Sequence, residues 1–433
     1  MTSGKKITIT LISLAMFILL SLFFFIAEYR DKINQATITR QQLSLLETFD
    51  IFTNTDERLR QLLNNSNRQA WLHLAKLHAN NSADTAYQLA EYFHQHQQIQ
   101  AAQLWYRLAI RQHHTPARIA LASSYFAQQQ YSTIKPLLLP IIANADALAL
   151  LYELALYQGD VSFIENYKKQ LAQGNSAALY LELKKFSVFD SKSVQSVNTE
   201  NSVSKLSCFI DVQFFATNLT GLRHAEQLIS VFEQHRLAKF ICLKAPKYIA
   251  VDTVKCSNLA HEKIACKATV WMNRKAINAR YLALVVAEGG ANVDNGILYL
   301  DQNDDIDVLV HELSHLIGFV DEYPLPAQHQ RCQQLQQSPF AHNLVVLPEY
   351  YQGDRASVRA KVLSQVPWRS LIKDTTAILS RHQKGWQLLT PTKYQDEVGL
   401  FPAKSCDKHS EIQAFKPLTQ RTKLQYFEMI FPA

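Results

Sequence analysis

One stretch of the 433-residue chain dictates its own local fold: His311-Glu312-Leu-Ser-His315-Leu-Ile-Gly318-Phe-Val-Asp321-Glu322-Tyr323. Residues four apart share one face of an α-helix, with roughly 5–6 Å between their Cβ atoms. The segment therefore predicts a helix that brings His311 and His315 to one point. The apolar residues Val308, Val310, Leu316 and Ile317 supply the buried face of that helix, and Asp305 or Asp307 can cap its start. Gly318 ends it with a turn that few other residues tolerate.

The spacing H-E-x-x-H-x-x-G-x-x-D carries chemistry as well as shape. Two imidazoles on one helical face can hold a Zn²⁺ from two sides, and Glu312 beside the first can act as general base on a water. Asp321 stands ten residues after His311, where a third ligand is needed, and a carboxylate can fill that place; Glu322 is its rival. The site expected is thus His311, His315 and Asp321 as metal ligands, Zn²⁺ as cofactor and Glu312 as catalytic base. A later acid such as Glu349 is an alternative third ligand. Tyr323, Tyr394 and Tyr426 are the candidates for stabilising an oxyanion.

Upstream, Phe209–Ala216 alternates like a strand and Leu222–Lys239 has helical periodicity. Phe240–Leu243, Tyr248–Val251 and Ala268–Met272 are short strand candidates. Tyr281–Ala287 and Ile297–Leu300 flank a glycine-rich turn, Gly289 to Gly296. The stretch Tyr281–Leu300 is the expected exposed edge for an extended substrate, with Gly289 and Gly290 permitting close backbone approach.

The rest of the chain divides by composition. Ile7–Ala27 carries no charge and is long enough to span a bilayer at about 20 residues. Lys5 and Lys6 precede it, which orients the N-terminus inward under the positive-inside rule. Residues 1–32 are therefore expected to be a cytoplasmic N-terminus and transmembrane anchor, with the bulk of the chain on the extracytoplasmic side and the membrane as a partner. Residues 33–186 are helical in pattern and nearly free of glycine and proline. Residues 187–205 are serine-rich without periodicity and read as a linker to a second domain, 206–433. The six cysteines, all at or beyond Cys208, fit up to three disulfides, with Cys332–Cys406 one pairing. A net charge of +7 from scattered basic residues points away from nucleic acid.

Two resemblances follow from particular residues. Leu89-Ala90-Glu91-Tyr92-Phe93, Trp105-Tyr106, and Leu121-Ala122 with Tyr125-Phe126 recur with a period near 33 residues. Over about 70–185 this resembles degenerate tetratricopeptide or Sel1-like repeats, which implies an all-α solenoid with a surface for a protein partner. His311–Tyr323, Val366-Pro367-Trp368-Arg369, Val398-Gly399-Leu400-Phe401 and Phe415-Lys416-Pro417 resemble the bacterial IgA-peptidase-type zinc metallopeptidases over about 206–433. That resemblance implies an α+β zincin-like domain with a mixed twisted sheet, acting as a hydrolase on a peptide or protein substrate. The spacing from Gly318 to Asp-Glu-Tyr is one residue shorter than in that family, and no methionine directly follows Cys406 where a Met-turn is expected, Met429 being the only methionine after the motif. The expectation is a membrane-anchored zinc peptidase whose repeats recruit substrate or partner. The competing class is a non-catalytic adaptor that keeps the same fold as scaffold.

Overall fold

The computed structural model describes residues 3–48, 55–64, 66–190, 209–257, 262–267, 277, 279–324, 341–406 and 412–425. The chain divides into two compact units, Met1–Leu154 with Gln173–Ala177, and Ala155–Ala172 with Ala178–Ala433.

The first unit is helical: α1 (Ser3–Asn34), α2 (Arg40–Thr48), α3 (Thr55–Asn64), α4 (Arg68–His78), α5 (Ala83–Gln95), α6 (Ile99–Arg111), α7 (Thr115–Ala127), α8 (Ile134–Leu138) and the first part of α9 (Ala145–Gln158). Successive helices α4 to α7 pack as neighbours. Their contact faces are small: Ala86, Ala90, Ala102, Ala109, Ala117 and Ala122 are fully buried, which lets backbones approach closely. The turns explain why so few glycines are needed. Gln97, His113 and Gln129 take positive φ of 59°, 64° and 59° just beyond α5, α6 and α7. Each is followed by an amide that reaches back to the helix it left: Gln98 to the Phe93 carbonyl, His114 to Ala109 and Gln130 to Tyr125. This left-handed turn closes a helix by satisfying its last carbonyls and usually takes glycine.

The expected membrane anchor is corrected. Although α1 is one helix from Ser3 to Asn34, no helix among the described residues is long and apolar enough to cross a membrane. Its described C-terminal turns are polar and engaged: Lys32 pairs with Glu28 at 2.6 Å, Gln35 donates to Asp31, and Ile33 is buried. The single-pass reading of Ile7–Ala27 falls with this, and with it the extracytoplasmic placement built on the anchor. The expected fold class is corrected in the same way. The chain is mixed α/β, with helices in the N-terminal half and sheets in the C-terminal half and no spanning helix among the described residues.

The second unit begins with the end of α9, α10 (Val161–Leu171) and α11 (Ala177–Lys185). The Tyr248 hydroxyl donates to the Leu156 carbonyl, the Tyr248 amide donates to Phe186, and Arg223 grips Glu182 with two hydrogen bonds. The main sheet has the order β2-β1-β3-β5-β4. It is built from β1 (Ile210–Ala216), β2 (Ile241–Tyr248), β3 (Tyr281–Val286), β4 (Asn292–Asp294) and β5 (Ile297–Asp301). All pairs are parallel except β4 with β5. Central parallel strands are covered on both faces, so β3 and β5 read as continuous apolar runs. α12 (Leu219–Phe232) and α14 (Ile306–Leu316) pack on this sheet and on each other, and the four-residue helix α13 (Val251–Val254) follows β2. Of the short strand candidates, 240–243 falls at the start of β2 and 248–251 meets it only at Tyr248, with Val251 already beginning α13, while 268–272 lies outside the described residues. Beyond α14, two antiparallel sheets, β10-β11-β6 and β7-β9-β8, frame α15 (Arg355–Gln365). Their strands are β6 (Val345–Pro348), β7 (Tyr350–Tyr351), β8 (Leu379–His382), β9 (Gly385–Leu388), β10 (Phe401–Ala403) and β11 (Ile412–Lys416).

The three later segments behind the peptidase resemblance converge in one core. Trp368 Nε1 donates to the Gly399 carbonyl at 2.9 Å, and the Gly399 amide donates to Pro417. Val366, Trp368, Leu400 and Phe415 share one buried cluster. A Cβ on Gly399 would lie 2.5 Å from Thr390 Oγ1, so that glycine is fixed by packing.

Cys256 and Cys266 form a disulfide across a sequence separation of 10, and Cys242 and Cys406 are also disulfide-bonded. Cys332, the partner suggested for Cys406, lies outside the described residues. Closing so short a loop lowers the entropy of the unfolded chain by an amount worth about 2–3 kcal/mol. Cys256→Ser with Cys266→Ser is expected to lower the free energy of unfolding by that much, read as a lower midpoint in chemical denaturation. An unchanged midpoint would count against the loop as a stabilising element.

Candidate metal centre

α14 starts where β5 ends. The Asp305 carboxylate accepts from the Asp307 and Val308 amides, satisfying the first turn of the helix. Leu309, Leu313 and Leu316 face the core, and the same helix buries His311 and Glu312. Gly318 leaves the helix at φ +91°, and a Cβ there would come within 2.7 Å of the His342 ring. Both conformation and space therefore require glycine at the turn that brings Asp321 back.

Three ligand-type atoms meet at that return. His311 Nε2 and His315 Nε2 are 3.1 Å apart, and Asp321 Oδ1 is 3.3 Å from each. A tetrahedral ion with bonds of about 2.0–2.1 Å has ligand–ligand edges of about 3.3–3.4 Å, so this triangle has the dimensions of one tetrahedral face. The tautomers agree. His311 Nδ1 lies 3.0 Å from the Lys423 carbonyl oxygen and His315 Nδ1 3.1 Å from that of Phe319. A carbonyl can only accept, so each Nδ1 carries the proton and each Nε2 offers a lone pair inward. Asp321 Oδ1 is buried without a hydrogen-bond partner, and so is Glu312 Oε2. Two lone pairs and an anionic oxygen at this separation repel unless a cation stands between them.

Glu312 also brings a carboxylate oxygen within 4.8 Å of both imidazoles, so it is a possible donor to the same ion. Asp321 fits the ligand place better, because its oxygen closes a short triangle with the two imidazole nitrogens at 3.3 Å from each.

The choice between Asp321 and Glu322 is decided by what Glu322 already holds. Its carboxylate accepts from Lys416 Nζ at 3.1 Å, Asn343 Nδ2 at 3.0 Å and Thr422 Oγ1 at 2.9 Å. Glu322 is only 2 % exposed, so these bonds lie in the interior. Asn343 also clamps Val320 through both its amide atoms. The other oxygen of Asp321 is held by the Tyr323 hydroxyl at 2.7 Å, which leaves Oδ1 to face the imidazoles. Tyr323 thus reaches the site by way of Asp321. The rival Glu349 is engaged by Gln387 at 2.9 Å. Tyr394 lies in a short turn at Thr392–Tyr394, and Tyr426 is outside the described residues.

Burial opposes the charge on both imidazoles, but Asp321 and the carbonyl contacts outweigh it, and both titrate above the usual value of 6.5. Burial pushes Glu312 up, and the two imidazoles pull it only part of the way back. Burial would raise Asp321 too, yet the imidazoles and the Tyr323 hydroxyl hold it well below the usual carboxylate range.

Within the expected substrate edge Tyr281–Leu300, β3 is interior, paired with β1 on one side and β5 on the other, and only β4 (Asn292–Asp294) lies at the edge of the sheet. The close approach that Gly289 and Gly290 permit is made by the chain itself. The Gly290 amide donates to Glu262, the Ile264 amide donates to Gly290, and Asn292 Nδ2 donates to the Ile264 carbonyl. A Cβ on Gly289 would lie 2.4 Å from Ile264 Cγ1, and one on Gly290 would lie 3.1 Å from the Glu262 carbonyl oxygen. No sequence pattern marked residues 262–264 as the neighbour of this turn.

Comparison with protein-family models, curated proteins and solved structures finds no match to this chain.

Two outcomes separate the neighbours 321 and 322. Asp321→Ala is expected to abolish stoichiometric Zn²⁺ binding with the fold kept, as read by metal analysis and circular dichroism. Glu322→Ala leaves the buried Lys416 ammonium without its counter-charge, and is expected to cost about 3–5 kcal/mol in denaturant unfolding. Equal metal content in both variants would refute the ligand set.

A pH titration tests the imidazoles. A protonated Nε2 cannot bind a metal, and both rings titrate above 6.5 in the metal-free protein. Zn²⁺ affinity, measured against a competing chelator from pH 8 to 6, is expected to fall steadily as pH drops, beginning above 6.5. A flat profile would contradict the convergence of both rings on one ion.

Proposed function

We propose that the chain is a zinc-dependent peptide hydrolase. The observation that carries this reading is the close set of His311 Nε2, His315 Nε2 and Asp321 Oδ1, at 3.1 to 3.3 Å from one another, with the buried, unpartnered Oε2 of Glu312 on the same helix. Those three atoms would hold the ion and leave one position of a tetrahedron open, as catalytic rather than structural zinc sites do. Bound zinc would polarise the scissile carbonyl and lower the pKa of a water towards about 7.

The remaining work falls to side chains of this chain. Glu312 would accept the proton of the attacking water and return it to the leaving amine, so it must be ionised first and protonated in between. Burial raises its pKa above the usual carboxylate value, which makes it a stronger acceptor for that proton. The Nδ1 contacts of His311 and His315 would keep both rings oriented while charge changes beside them. Tyr323 would hold Asp321 to a single inward oxygen. The IgA-peptidase-type resemblance of residues 311–323, 366–369 and 398–401 supports a peptide as substrate, and the helical segment 70–185 is a place for a substrate or partner protein to dock.

Glu312→Gln is expected to keep the metal and reduce peptide cleavage by about 10²–10⁴-fold. Turnover of a quenched-fluorescent peptide library, followed alongside zinc content, checks this. Cleavage at the wild-type rate would remove Glu312 from the mechanism, and no cleavage by metal-loaded wild type would favour the adaptor reading.

A further inference from the structure

Between Glu91 and Asp146 the sequence contains no aspartate or glutamate, while Arg107, Arg111, Arg118 and Lys135 all fall in that interval. The fold brings two of them, Arg107 and Arg111, to one place. Arg107 and Arg111 are one helical turn apart on α6, both exposed, so their guanidinium groups leave the helix on one face. Like charges at this spacing destabilise a helix unless something answers them. No carboxylate among the described residues does so.

The two arginines stand at a concavity of about 450 Å³ lined also by Ile110, Leu121, Tyr125 and Leu137. Its size lies in the range of ligand pockets, roughly 300–1,000 Å³. Tyr125 is buried, and its hydroxyl accepts from Arg107 Nη2 at 2.8 Å. That bond fixes the guanidinium at the mouth while most of its five N–H donors remain available. Leu104, one turn before Arg107 on the same face, is 63 % exposed. A positive rim over an apolar floor matches a ligand that carries both a carboxylate and an aliphatic group. Nucleic acid fits less well, because the Tyr125 ring is buried and offers no open face for a base to stack on.

We propose that this face of the helical unit binds an acidic peptide segment, with Arg107 and Arg111 taking carboxylates and the concavity taking an aliphatic side chain. The site does not depend on the peptidase reading.

The test uses the full chain with Glu312→Gln added, so that no probe is consumed. A fluorescein-labelled Leu-Glu-Leu-Asp-Glu peptide is compared by anisotropy with its neutral amidated counterpart, Leu-Gln-Leu-Asn-Gln. The acidic probe is expected to bind at least about tenfold tighter, since charge-assisted hydrogen bonds are lost in the neutral one. Arg107→Ala and Arg111→Ala are each expected to weaken it severalfold, and Arg111→Lys is expected to retain part of the affinity. Added salt should weaken binding in step. The proposal is overturned if the acidic probe does not bind, if both probes bind alike, or if the alanine variants bind as wild type with helical circular dichroism intact. Competition by inorganic phosphate or oligo-dT at matched charge would also overturn it, since that marks a general anion surface.

Discussion

The buried pair of Glu322 and Lys416 decides what the neighbouring carboxylate can do. Adjacent side chains diverge in non-helical backbone, so fixing one inward aims the other elsewhere. Glu322 is surrounded by donors from Lys416, Asn343 and Thr422, and its own amide donates to the Leu424 carbonyl. Removing a carboxylate and an ammonium from water is costly, and only complete hydrogen bonding offsets it. That requirement locks the segment after Gly318 to the end of β11 and to residues 422–424. Asp321 is left as the member of the pair that faces His311 and His315. The next residue along, Lys423, supplies the carbonyl that sets the His311 tautomer. One buried charge pair thus orders both a proposed ligand and the orientation of another.

How much of this was legible in the sequence depends on the range of each interaction. The helix at 306–316 was readable because its signals are local: apolar residues at helical spacing, Asp305 at the cap and Gly318 at the exit. Asp321 was readable for the same reason, through its distance from Gly318. Its preference over Glu322 was not readable, because the groups that sequester Glu322 come from positions 343, 416 and 422 and share no periodicity with it. Strand order was also hidden. β3 and β5 announce themselves as strands, but a parallel sheet is joined through distant crossovers, and nothing in an apolar run says which strand is the edge. In the helical unit the hairpin turns were obscured because Gln97, His113 and Gln129 occupy the left-handed position where glycine is the usual mark. The uncharged run at 7–27 misled in the other direction, since length and apolarity in the sequence implied a span that the described helices do not provide.

The glycine pair at 289 and 290 shows how a correct local inference can attach to the wrong partner. Missing side chains do signal close backbone approach, and the approach is real. The incoming chain is residues 262–264, closed on itself by the Cys256–Cys266 disulfide and anchored by the buried Ile264. A strand flank that looked open to substrate is thus occupied at Gly290 by the protein's own backbone. Glu262 and Lys263, both exposed, stand on the segment that bridges Gly290, so the surface beside this turn is set by that short disulfide-closed loop as much as by the sheet.

The candidate metal centre itself rests on a similar balance of local and distant constraints. Helical spacing alone would leave each imidazole free to choose its tautomer and to rotate. The two Nδ1 contacts remove that choice, one from within the same turn at Phe319 and one from the far end of the chain at Lys423. With both protons committed outward, the inward face holds only acceptors, and so does Asp321 once Tyr323 has taken its other oxygen. Ordinary hydrogen bonding in a core would pair donors with acceptors. Here the fold has used its donors to leave acceptors facing one another, an arrangement that costs free energy unless a cation is bound among them.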